Sequence, residues 1–74
     1  MPHIVVKCYK GRSQEQLAEI AKKLEEAALA AFGTNPGSVS VAIVPVDKEE
    51  WKQVYDNEIY GDTDHLLVEP KYKM

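Results

Sequence analysis

Pro2-His3-Ile4-Val5-Val6-Lys7-Cys8-Tyr9, running into the turn Lys10-Gly11-Arg12-Ser13, is the stretch from which the rest of the chain takes its arrangement. β-Branched residues mark a strand over residues 3–9, and alternation puts Ile4, Val6 and Cys8 on one face and His3, Val5, Lys7 and Tyr9 on the other. The first face is the better core, so Cys8 reads most simply as a small buried hydrophobe. Gly11 is free to take positive φ in the turn, and Ser13 with Gln16 three residues later makes a capping box that starts a helix. Arg12 therefore stands at a strand-to-helix corner. An arginine there is either solvated or, beside a pocket, suited to bidentate binding of a carboxylate.

The helix is predicted over about Gln14 to Phe32. Leu17, Ile20, Ala21, Leu24, Ala27, Ala28, Ala31 and Phe32 recur at three- and four-residue spacing, with Glu and Lys on the remaining positions. Its alanines allow close approach to a sheet, and Gly33 is a natural left-handed stop. The turn-forming loop Gly33-Thr34-Asn35-Pro36-Gly37 returns the chain for a second strand, Ser38 to Val44, which Pro45 ends. A helix between two strands implies a right-handed crossover with the strands parallel. Further on, Asp47 with Glu50 makes a second capping box for a short helix through about Tyr55, with Trp51 and Tyr55 as i,i+4 partners covering the sheet or lining a pocket. Thr63 caps a last candidate helix whose apolar part is Leu66, Leu67 and Val68.

The 74 residues make one domain, 1–74, of α+β class. A β-α-β unit this small leaves sheet edges and one sheet face open. Pairing with the same unit of another subunit would give a four-stranded sheet with both helices on one face. Cys8 is the only cysteine, so no disulfide closes within the chain, and His3, Cys8 and His65 lack the paired spacing of a metal site. No metal is expected on this spacing. A net charge of -3 with scattered basic residues argues against nucleic acid. With no signal-like segment and no membrane-length apolar run, a cytoplasmic location and no membrane partner are expected.

Pro2 carries the most specific chemistry. Proline is small enough to permit removal of Met1, and removal leaves a secondary amine at the head of a strand. An α-amino group titrates near ~7.7–8.0, and burial disfavours its charged form, so a desolvated Pro2 amine would be a neutral general base near physiological pH. The plainer alternative is that Pro2 merely opens an edge strand, where a missing N–H costs little.

Taken together, Pro2 to Val6, Lys10-Gly11-Arg12-Ser13, the single long helix, Ser38-Val39-Ser40-Val41-Ala42-Ile43-Val44 and Trp51 resemble the 4-oxalocrotonate tautomerase family from end to end. The resemblance implies an enol–keto tautomerase acting on 2-hydroxy-dienoates or arylenolpyruvates, and it implies no cofactor. Pro2 would be the general base after Met1 removal, Arg12 would bind the substrate carboxylate, and Trp51 would form an apolar wall. Ser40 stands where the best-known member carries a second substrate-binding arginine, so it would offer a hydrogen bond without charge. The family's pocket draws on a neighbouring chain, which links activity to self-association. Trp51, Asp56, Glu58-Ile59 and the spaced Pro70, Tyr72 and Met74 look like the dimeric branch, whereas the Lys10–Ser13 turn looks like the hexameric one; a homodimer is the favoured expectation. Two alternatives stay open. One is a non-catalytic oligomeric module that keeps the fold for assembly, and the other is a hydratase- or dehalogenase-like relative.

Overall fold

The computed structural model describes residues 1–74. Strand β1 (His3–Tyr9) leads through the Lys10–Ser13 turn into helix α1 (Gln14–Phe32), and strand β2 (Ser40–Val46) follows. A 3₁₀ turn (Lys48–Glu50), a four-residue helix α2 (Trp51–Val54), a π-helical turn (Tyr55–Ile59) and a second 3₁₀ segment (Tyr60–His65) lead to an irregular tail. The two strands are parallel, with His3 opposite Ser40, Val6 opposite Ile43 and Tyr9 opposite Val46. This is the β-α-β unit expected from the sequence.

Local signals account for the boundaries of α1. Ser13 holds an extended backbone while its hydroxyl accepts from the Gln16 amide at 3.2 Å, and the Gln16 side chain accepts from the Ser13 amide at 2.9 Å. Two of the four unpaired donors at the helix start are thereby satisfied. At the other end Gly33 sits at φ 62 and donates to the Leu29 carbonyl at 3.0 Å, a left-handed stop that a side chain would strain.

Strand β2 departs from its expected limits. It begins at Ser40 and runs through Pro45 to Val46 rather than stopping before the proline. The Ser40 N–H donates to the Pro2 carbonyl at 3.1 Å and the Lys10 N–H to the Val46 carbonyl at 3.1 Å. Even-numbered residues of both strands thus face each other. Strand alternation then points the Pro45 nitrogen at the outer edge, where its missing N–H removes no ladder bond.

The expected capping box at Asp47 is also absent. No side-chain bond caps that turn, and the Asp47 carboxylate instead pairs with Lys10 at 3.2 Å, tying the end of β2 to the end of β1. The helix beyond it extends past Tyr55 through the π turn to Ile59. No helix forms over Leu66–Val68. The 3₁₀ segment stops at His65, Leu66 is extended, and Leu67 and Val68 are 92% and 85% exposed. Pro70 disfavours helical geometry in the residue before it, and Gly61-Asp62-Thr63-Asp64 is rich in side chains that compete for backbone groups. Asp62 breaks the helical dihedrals and bonds to His65 at 2.8 Å. Gly61 is fixed by space, since a Cβ there would lie 2.7 Å from the Asp56 carbonyl oxygen.

Each sheet face has its own cover. Helix α1 packs on β2, and Val39 and Val41 share a shallow groove with Ala18 and Ala21. Register and alternation place Ile4, Val6, Ile43 and Cys8 on that same face. On the opposite face, Lys7, Val44 and Val46 meet Val54 and the turns that follow it. The upper half of this face, with His3, Val5 and Ser40, is exposed. Only Ala28, Val54 and Tyr55 are buried. Cys8 is half-buried, short of the buried position expected for it.

Candidate active site

The outer edge of β1 organises the polar chemistry. Because the even-numbered residues bond to β2, the backbone groups of His3, Val5, Lys7 and Tyr9 point away from it. The Arg12 guanidinium folds back from the turn and donates to the Tyr9 carbonyl at 3.2 Å. Gly11, at φ 126, gives the turn the conformation that permits this return. A cation is therefore held at the C-terminal end of an open strand edge.

Beside it lies a cavity of about 470 Å³ lined by Lys7, Cys8, Tyr9, Arg12, Trp51, Tyr72 and Met74. Three aromatic rings set its shape. Tyr9 meets Trp51 edge to face, with centroids 5.2 Å apart and planes at 81°. Such a pair contributes roughly 0.5–1.5 kcal/mol beyond area burial. The Trp51 indole N–H donates to the Tyr72 hydroxyl at 2.9 Å, and Tyr72 leans on buried Tyr55 with centroids 5.7 Å apart. Lys7 forms an ion pair with Glu58 on the π turn, which leaves Arg12 as the cavity's cation without a carboxylate partner. An apolar cavity with one unpaired guanidinium suits a small anion carrying an apolar or aromatic tail.

The four residues singled out in the sequence separate into two groups. Arg12 and Trp51 line this one cavity. Pro2 and Ser40 sit at the opposite end of the sheet, and seven residue rises along β1 put roughly 23 Å between Pro2 and Tyr9. Pro2 is half-buried, and its carbonyl accepts from the Ser40 amide. The Ser40 hydroxyl lies 2.7 Å from the His3 Nδ1, so it is engaged by a neighbour on its own sheet. No single chain brings Pro2 and Arg12 together.

Sequence reasoning did not place Tyr9, Tyr72 or Met74 in the cavity. The signal available was the indole of Trp51, whose N–H seeks an acceptor when its ring packs, and the aromatic spacing of the tail. Two titratable groups are displaced elsewhere. Partial burial against Tyr55 pushes the Tyr60 phenol up, and the bond to Asp62 raises the His65 imidazole above 6.5. The His65–Asp62 ion pair is thus complete below pH about 6.5 and is lost as pH rises through the raised value. Neither residue lines the cavity.

Comparison with known proteins agrees with this architecture. The sequence pattern of the family described as tautomerase enzyme matches residues 2–58. Tautomerase PptA of Enterobacter sp. (strain 638) is 38% identical over 76 residues, covering all of both chains. A probable tautomerase of Xylella fastidiosa (strain 9a5c) is 38% identical over 73 residues, covering 97% of this chain and 89% of the relative. Tautomerase PptA of Escherichia coli (strain SMS-3-5 / SECEC) is 28% identical over 75 residues and matches end to end. Similarity of this extent across the β-α-β unit, the Arg12 turn and the Trp51 helix establishes the lineage: the chain belongs to the tautomerase family of enzymes.

Proposed function

We propose that the chain is an enol–keto tautomerase of small 2-hydroxy acids whose active site is completed between two copies. The observation that carries this reading is the position of Arg12 and its cavity on the open outer edge of β1. Two β1 strands pairing antiparallel along that edge over their full length, His3 opposite Tyr9 and Val5 opposite Lys7, set Pro2 of one copy beside Lys10 of the other. A separation of roughly 23 Å within a chain then becomes a neighbour relation between chains. The same pairing yields the four-stranded sheet, and it gives apolar side chains such as Val5 a partner surface. With so few residues buried in the single chain, the added burial also stabilises the fold. A homodimer satisfies both needs.

Chemistry follows from the amine. With Met1 attached, the Pro2 nitrogen is an amide and has no basicity; after Met1 removal it is a secondary amine. As the neutral base it takes the enol hydroxyl proton. The oxygen electrons form the carbonyl, the double bond shifts, and the conjugated carbon recovers a proton from the Pro2 ammonium. Arg12 pairs with the carboxylate and holds the enol in register with the base. Tyr9, Trp51 and Tyr72 exclude water around the tail, which strengthens the remaining electrostatic contacts. The reaction is a proton transfer within the substrate and needs no cofactor. Ser40 adds no charge at the other end of the sheet, and losing one charge-assisted contact costs roughly 1.5–3 kcal/mol. Arylenolpyruvates and related monocarboxylates therefore fit better than dicarboxylates.

The test is the decay of phenylenolpyruvate followed by its enol absorbance, using protein shown by intact mass to lack Met1. Acceleration over buffer at catalytic protein concentration is expected, with turnover per chain falling when dilution dissociates the assembly. No acceleration by the processed protein would contradict the reading.

A further inference from the structure

The C-terminal tail contributes a group that neither the turn nor the helices supply. Tyr72 lines the same cavity as Arg12 and Trp51, and its oxygen accepts the Trp51 indole N–H at 2.9 Å. The phenol's own O–H finds no acceptor within the chain. Tyr55, buried beneath it, supports the ring from behind. A phenol that accepts one donor at its oxygen and rests its ring at a tilt on Tyr55 presents its proton in a restricted direction. Met74, two residues further on, completes the wall with a flexible apolar side chain.

We propose that Tyr72 is a specificity-determining residue that donates its hydroxyl proton to an acceptor on the distal end of the substrate tail. The inference rests on the cavity being the carboxylate site and assigns the opposite end of the ligand. Arg12 reads the carboxylate, the rings of Tyr9 and Trp51 hold the apolar middle, and Tyr72 reads a polar atom at the far end. The ligand class is then an aromatic 2-oxo or 2-hydroxy acid bearing an oxygen on its ring, in preference to the unsubstituted analogue. A ring oxygen on the tail accepts the Tyr72 O–H, a bond that the unsubstituted analogue cannot make, and that gained bond is the source of the discrimination.

The experiment measures binding, so it does not depend on turnover. The probes are 3-phenylpropanoate and 3-(4-hydroxyphenyl)propanoate, titrated calorimetrically into wild-type protein and into Tyr72→Phe. Phenylalanine keeps the ring on Tyr55, and circular dichroism with the melting transition verifies that the variant folds. The wild type should bind the hydroxylated acid about three- to tenfold more tightly, the range of one net hydrogen bond. Tyr72→Phe should abolish that ratio while changing the affinity of the unsubstituted acid by less than about twofold. Equal affinities for the two acids in the wild type, or a ratio unchanged by the substitution, would overturn the role of Tyr72 while leaving the carboxylate site standing. Binding of neither acid to the wild type would overturn the carboxylate site, and the role of Tyr72 with it.

Discussion

Pro2→Ala should lower the rate of enol tautomerisation by at least about tenfold while the oligomer persists. Alanine is also small enough to permit Met1 removal, so the variant presents a free amine and the comparison is between two bases rather than between a base and an amide. A primary amine differs in basicity, and without the pyrrolidine ring its nitrogen is not held in one direction relative to the strand. The strand itself should be untouched. Only the backbone carbonyl of residue 2 is used in the sheet, accepting from Ser40, and alanine supplies the same carbonyl. For the wild type, turnover should fall as pH drops through the amine's pKa, because the protonated amine cannot accept the enol proton. Equal activity in the alanine variant would remove Pro2 from its role.

Arg12→Ala should reduce kcat/KM for an arylenolpyruvate by about 10- to 100-fold, equivalent to roughly 1.4–2.8 kcal/mol of lost charge-assisted contact. The guanidinium's one bond within the chain is to the Tyr9 carbonyl at an exposed edge, so the effect on stability should stay within about ±0.5 kcal/mol. Most of the loss should fall on KM if the carboxylate is held alike in ground and transition states. Lysine should restore only part, because an ammonium lacks the planar fork that meets both carboxylate oxygens. The comparison that isolates the contact is acid against methyl ester. A penalty on the acid alone supports Arg12 as the carboxylate reader, and an equal penalty on both would contradict it.

The elements legible in the sequence were those with their own punctuation. Ser13, Gln16 and Gly33 marked the ends of α1 through bonds that form within four residues, and the alternation of β1 was strong enough to assign its faces. Strand β2 was harder. Pro45 reads as a terminator unless one knows that β2 pairs on one side only and that position 45 points its nitrogen outward. Asp47 fits a cap in sequence, yet Lys10, brought near only by the sheet register, claims its carboxylate. The last segment failed for a related reason: Leu66, Leu67 and Val68 suggested an apolar helix face, but Pro70 and the Gly61–Asp64 turn residues deny it the length to form. The site was half legible. Arg12 and Trp51, both singled out in the sequence, line one cavity, whereas Tyr72 reaches it across the fold through a hydrogen bond no spacing rule encodes. Pro2 and Arg12 lie at opposite ends of one strand, so in the proposed site their joint action is a property of two chains, which a single sequence carries only as an unpaired strand edge.

That joint action can be measured by mixing two crippled proteins. Pro2→Ala retains the arginine cavity, and Arg12→Ala retains the proline base. If each site takes Pro2 from one chain and Arg12 from the other, a hybrid dimer holds one intact site and one doubly defective site. Random reassortment makes about half of the dimers hybrids, so an equimolar mixture, unfolded and refolded together, should recover about a quarter of wild-type activity. A mixture whose activity stays at the average of the two variants assayed separately would contradict a site shared between chains.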